Sequence, residues 1–129
     1  MTRDIDPTKS SGYLIKAVNS LEIAKIAMQK EAYDNAVMNA VHSSINALDA
    51  LATSRKAKRA SGQHLDILIL IRGILSPQEY GDIEKQFKFL ISLKNTSEYQ
   101  PDLMSQKNSQ ISIKFAERIL DKVKTKLPK

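Results

Sequence analysis

Asn35, Asn39, His42, Asn46, Asp49 and Thr53 recur at steps of four, three, four, three and four. That spacing places them on one line along a helix. Solvent-facing stripes are commonly built from lysine and glutamate, yet this one contains neither. It offers amides that both donate and accept, an imidazole with two ring nitrogens, and a carboxylate. One reading is a binding or catalytic groove lined by Asn39, His42, Asn46 and Asp49. The other is a satisfied hydrogen-bond network between helices, or a polar dimer seam.

Two further clusters carry charge. SRKAKRASGQH, residues 54–64, holds Arg55, Lys56, Lys58 and Arg59. These four could contact phosphates, or simply form a solvated loop. LKNTSEYQP, residues 93–101, gathers Lys94, Asn95 and Tyr99. Read locally it is a connector. Lys94 suits a helix C-terminus, Asn95 tolerates the left-handed conformation that ends helices, and Pro101 discourages continuation.

Other chemistries are excluded early. The chain has 129 residues and no cysteine, so thiolate nucleophiles, disulfides and Cys-ligated metals are absent. His42 and His64 are the only histidines and have no metal-binding spacing, so no metal or cofactor is expected. Four scattered glycines form no phosphate loop. Aromatics are 5% and do not interleave with the basic cluster, which argues against a base-stacking platform. The net charge of +6 permits a polyanionic partner. MTRDIDPTKSSGY lacks an apolar core, so no signal peptide is expected. The longest apolar run, residues 65–75, is interrupted by Asp66 and Arg72 and is too short to span a bilayer. A soluble, cytoplasmic protein with no membrane contact is expected.

These residues need elements to position them. Residues 1–9 read as a flexible polar lead-in, and residues 10–129 as one domain. Leu14, Val18, Leu21, Ala24 and Met28 mark a first helix over 12–31, capped by Ser10 or Ser11. An alanine-rich second helix covers 34–54 and should pair antiparallel with the first. LDILILIRGIL reads as a short buried helix ended by Gly73. Ser76-Pro77-Gln78-Glu79 is a capping box with proline at the first helical position, opening a helix that ends near Lys94. Ser105 should cap a last helix with an apolar stripe and a basic face. The sum is an all-α, up-and-down four-helix bundle with one additional short helix.

Over residues 12–127 the chain resembles the HEPN family of small α-helical domains. The resemblance rests on the opening pair, YLIKAVNSLEIAKIAMQKEAYDNAVMNAVHSSINALDALA, on the polar line down its second helix, and on LKNTSEYQP followed by SIKFAERILDKVKTKL. It implies a bundle that usually dimerises. Many relatives are metal-independent endoribonucleases whose motif pairs an arginine with a histidine a few residues on, beside a cleft formed with helix two. Mapped here, Lys94 stands for the arginine and Tyr99 for the histidine, and no histidine follows His64. Lysine lacks the bidentate guanidinium fork, and tyrosine, with an ordinary pKa near 10, is a poor base at neutral pH. The resemblance therefore implies a non-catalytic binding or regulatory module for RNA, a nucleotide or a protein. Such domains often stand beside small nucleotidyltransferases in toxin–antitoxin systems. The alternatives are an atypical endoribonuclease using His42 and Lys94, and a pure protein partner of a nucleotidyltransferase.

Overall fold

The computed structural model describes residues 2–99, 101 and 103–128, without the side chains of 97–99. Five α-helices carry the chain: α1 (Ser10–Gln29), α2 (Tyr33–Lys56), α3 (Ile67–Ile71), α4 (Pro77–Tyr99) and α5 (Gln106–Lys126). Two short strands, β1 (Thr2–Asp4) and β2 (Lys58–Ala60), form an antiparallel ribbon.

α2 is the central helix and touches all the others. Its alanines explain how. Ala36, Ala40, Ala47 and Ala50 are buried, and so are Ala17 and Ala24 of α1. Small side chains let helix backbones approach closely. Close approach also brings the Ser43 hydroxyl within 2.7 Å of the Ala17 carbonyl, to which it donates across the α1–α2 contact. The larger core residues, Leu48, Leu51, Phe87, Leu90 and Ile119, fill the space toward α4 and α5.

Tertiary hydrogen bonds fix the directions. Asp34, at the start of α2, accepts from the Met104 N–H just ahead of α5. Arg55, at the end of α2, donates to the Lys126 carbonyl at the end of α5. α2 and α5 therefore run the same way. Glu79, at the start of α4, reaches Lys122 and Lys126 at the end of α5, so α4 runs against both. α1 returns against α2 through a tight turn in which Glu31 is left-handed, at φ 61°. The result is the expected up-and-down four-helix arrangement with α3 as the short extra helix.

Helix starts follow their caps. Ser76 Oγ accepts from the Glu79 N–H at 3.1 Å, and Glu79 Oε1 accepts from the Ser76 N–H at 2.9 Å. Ser105 Oγ accepts from the Asn108 N–H at 3.0 Å and opens α5. At α1 the expectation fails, because neither Ser10 nor Ser11 is the cap. Asp6 instead caps a 3-10 turn, Pro7–Lys9, that runs straight into α1.

Three further expectations are corrected. Residues 1–9, read as a flexible lead-in, contain β1 and this turn. The segment after α2, read as an exposed loop or frayed helix end, contains β2. Ala57 turns left-handed at φ 52° and ends α2, and its carbonyl accepts from the Ile5 N–H. That redirection lays residues 58–60 against 2–4. Finally, α4 does not stop near Lys94 but continues to Tyr99. Ser92 Oγ and Thr96 Oγ1 donate to the carbonyls of Phe89 and Ser92, one turn back, so the hydroxyl residues are satisfied inside the helix. The stretch read as a connector is mostly the last turns of α4.

Replacing Ser76 by alanine removes the cap that starts α4. Urea unfolding should show a loss of about 1 kcal/mol with an unchanged slope. An unchanged midpoint would mean that the cap does not hold the helix start.

Candidate functional site

The polar line on α2 falls largely on the side turned away from the core. Asn35 and His42 are exposed, Asn39, Asn46 and Asp49 are half-buried, and Thr53 is fully buried. The amides bond to their own helix. Asn39 Nδ2 donates to the Asn35 carbonyl and Asn46 Nδ2 to the His42 carbonyl, each at 2.9 Å. Those amide donors serve α2's own backbone rather than a hydrogen-bond network between helices. The Thr53 hydroxyl, at the buried end of the line, has no hydrogen-bond partner among the described residues.

The line leads toward the ribbon. Asp49 lines a polar cavity of about 360 Å³ between α2, the ribbon and the loop that follows it. Arg3, Arg59, Gly62 and His64 line the same cavity. Gly62 has φ 104°, a conformation that other residues rarely adopt, and it turns the loop back toward α2. Burial pushes the Asp49 carboxyl up to about 6. The Arg59 guanidinium and a hydrogen bond from the Ala60 backbone oppose the rise without cancelling it.

Of the other residues singled out from sequence, Arg55 is tied to the α5 terminus, Lys56 is exposed, and Lys58 pairs with Asp4 across the ribbon. Only Arg59 of the four basic residues reaches the polar cavity. Lys94 is half-buried and Asn95 exposed on the last turns of α4. Tyr99 ends that helix, and its side chain lies outside the described residues. Neither His42 nor Lys94 lines the cavity that holds Asp49. No local pattern in the sequence ties Arg3 and His64 to Asp49, because only the strand register and the loop after it bring them there.

A larger cavity, about 730 Å³, lies between the start of α4 and the end of α5. Glu79 there pairs with Lys122 at 3.2 Å and Lys126 at 3.1 Å. The Ser76 N–H and these two lysines hold its carboxyl down at about 2. Asp82 and Asp121 offset the remaining arginine, Arg118, and the lysines, so charges of both signs line this groove. It is wider than the ribbon pocket but carries no excess of one charge to select a ligand. Among the described residues no group of three His, Cys, Asp or Glu side chains could hold a metal ion. No helix among them is long and apolar enough to cross a membrane.

The HEPN domain family model matches residues 11–126. The chain belongs to the HEPN family. No curated protein matches it. Among solved structures it is similar to TT1696 from Thermus thermophilus, at 20% identity and a TM-score of 0.76, over 92% of this chain and 98% of that one. That likeness concerns the fold. The β1–β2 ribbon begins ahead of the HEPN match, at residue 2, and folds back onto the domain at residues 58–60.

The Asp49 environment gives a signed pH dependence. A carboxyl whose folded pKa lies above its unfolded value, 3.8, binds its proton more tightly in the folded state. Stability therefore falls as pH rises from about 4 to about 6, and the full cost is present above 6. Asp49→Asn should raise stability at pH 7.5 by about 1–3 kcal/mol, from a rise of roughly two units. The gain should shrink toward zero near pH 4. Thermal melts across that range check it, and a variant less stable than wild type at pH 7.5 would show that Arg59 and Ala60 fully compensate the charge.

Proposed function

We propose that this HEPN chain is a non-catalytic module that binds RNA. The observation that carries the reading is the course of the α2 polar edge. It stays partly exposed from Asn39 through His42 and Asn46, and leads to a cavity where Arg3 and Arg59 meet Asp49. A half-exposed polar track that ends at guanidiniums suits a sugar–phosphate chain, since arginine pairs with phosphate oxygens bidentately. The net charge of +6 favours the same partner.

The residue types support the non-catalytic reading. Lys94 gives a point charge where related enzymes present a planar fork, and Tyr99 takes the place of the titrating imidazole. His42 is on the outer edge of α2, and the ribbon cavity that the α2 edge leads to is lined by neither His42 nor Lys94. Neither a nucleotidyltransferase partner nor a toxin–antitoxin role has a feature of the geometry in its favour. An RNA-binding role of this kind belongs in the cytoplasm.

A homodimer has one observation behind it. α1 buries Ala17, Leu21 and Ala24, yet on its outer side Ile15, Ile23 and Ile26 are 60%, 52% and 49% exposed. Isoleucines on that scale suit an interface better than open water. Sedimentation should find a dimer for wild type and a monomer for Ile15→Lys/Ile26→Lys. A wild-type monomer at micromolar concentration removes the dimer.

Fluorescence anisotropy with a short single-stranded RNA tests the main reading. Affinity should drop steeply between about 50 and 200 mM salt, and the RNA should be recovered intact. Cleavage that disappears in His42→Ala or Lys94→Ala would instead establish an enzyme. Absent or salt-independent binding would point to a protein partner.

A further inference from the structure

The two faces of the β1–β2 ribbon differ in a way that the bundle does not require. Directly opposite residues of an antiparallel pair share a face, and the register pairs Asp4 with Lys58 and Arg3 with Arg59. The first is an opposite-charge pair that forms an ion pair. The second sets two arginines directly opposite each other. Like charges so placed are destabilising. Both arginines line the cavity of about 360 Å³ beside α2, together with His64 and the Gly62 turn. Asp49 is the only carboxylate in its lining. Two arginines against one carboxylate leave the lining with an excess positive charge.

We propose that this pocket is a phosphomonoester site, in which Arg3 and Arg59 grip one phosphate group from the two strands. A phosphate accepts the bidentate hydrogen bonds that guanidiniums offer, and a doubly charged anion between them turns their repulsion into attraction. The turn at Gly62 brings backbone close to the same space, as anion-holding turns do. Asp49 is the internal competitor. Its carboxylate attracts Arg59, and an incoming phosphate must share that guanidinium with it. The pocket is small, at the low end of ligand-site volumes, which fits a single phosphate with part of its sugar rather than a strand.

Two sources offer this chemistry: a free phosphate, or the terminal phosphate of an RNA. The second rests on the RNA-binding reading above, and the first does not. Calorimetry with inorganic phosphate, beside anisotropy with 5′-phosphorylated and 5′-hydroxyl forms of one RNA, separates them. For an RNA end, the phosphorylated strand should bind on the order of tenfold more tightly than the hydroxyl strand, and inorganic phosphate should erase the difference. For a free phosphate, calorimetry gives binding while the two strands bind alike. In either case Arg3→Gln and Arg59→Gln should each weaken phosphate binding by on the order of tenfold. Arg59→Lys should retain part of it. Asp49→Asn should strengthen it, a gain that a merely damaged fold cannot produce. The proposal is overturned if phosphate neither binds nor competes and the strand end makes no difference. It is equally overturned if Asp49→Asn weakens phosphate binding.

Discussion

The close seating of α2 governs the rest of the molecule. A helix surrounded by four others can be accommodated only if its contact side is small, and Ala36, Ala40, Ala47 and Ala50 supply that side. The Ser43–Ala17 hydrogen bond depends on the same closeness, because a serine hydroxyl reaches a neighbouring helix's carbonyl only when the backbones nearly touch. Once that packing is set, α2 has an edge that is only partly covered. Along it Asn35 and His42 are exposed, and Asn39, Asn46 and Asp49 are half-buried. Thr53, further along the same line, is covered and leaves a buried hydroxyl without a partner among the described residues, a local cost that the bundle tolerates.

The direction in which α2 ends then decides what the edge can do. The left-handed residue Ala57 turns the chain into β2, which recruits residues 2–4 as a second strand. A two-stranded ribbon has little stability of its own, so it persists because it packs on the bundle. Its attachment brings charges to the end of the α2 edge that neither element would hold alone. Asp49 is half-buried there, and that burial raises its carboxyl pKa despite a neighbouring guanidinium.

Much of the bundle is legible in the sequence. The capping box at Ser76, the Ser105 cap and the apolar periodicity of α5 are local signals, and the structure uses them at those positions. The polar line on α2 is visible too, though the amide hydrogen bonds along it stay within the helix. What cannot be read locally is set by tertiary contacts. The sequence pattern ends α4 too early because Asn95, Thr96 and Ser97 have weak helix propensity, and hydroxyl bonds to the preceding turn accommodate Ser92 and Thr96 in the actual helix. β1 is invisible because TRD has no strand pattern, and it is a strand only through its partner. For the same reason nothing local associates Arg3 and His64 with Asp49.

We propose that ligand recognition lies where the α2 edge meets the ribbon, not on the last turns of α4 at Lys94 and Asn95. Amide resonances of the 15N-labelled chain, followed during titration with short RNA, test it most directly. The largest shifts are expected at Asp49, Arg59 and Gly62, spreading along α2 toward His42. Shifts confined to residues 94–99, with the ribbon unmoved, would contradict it.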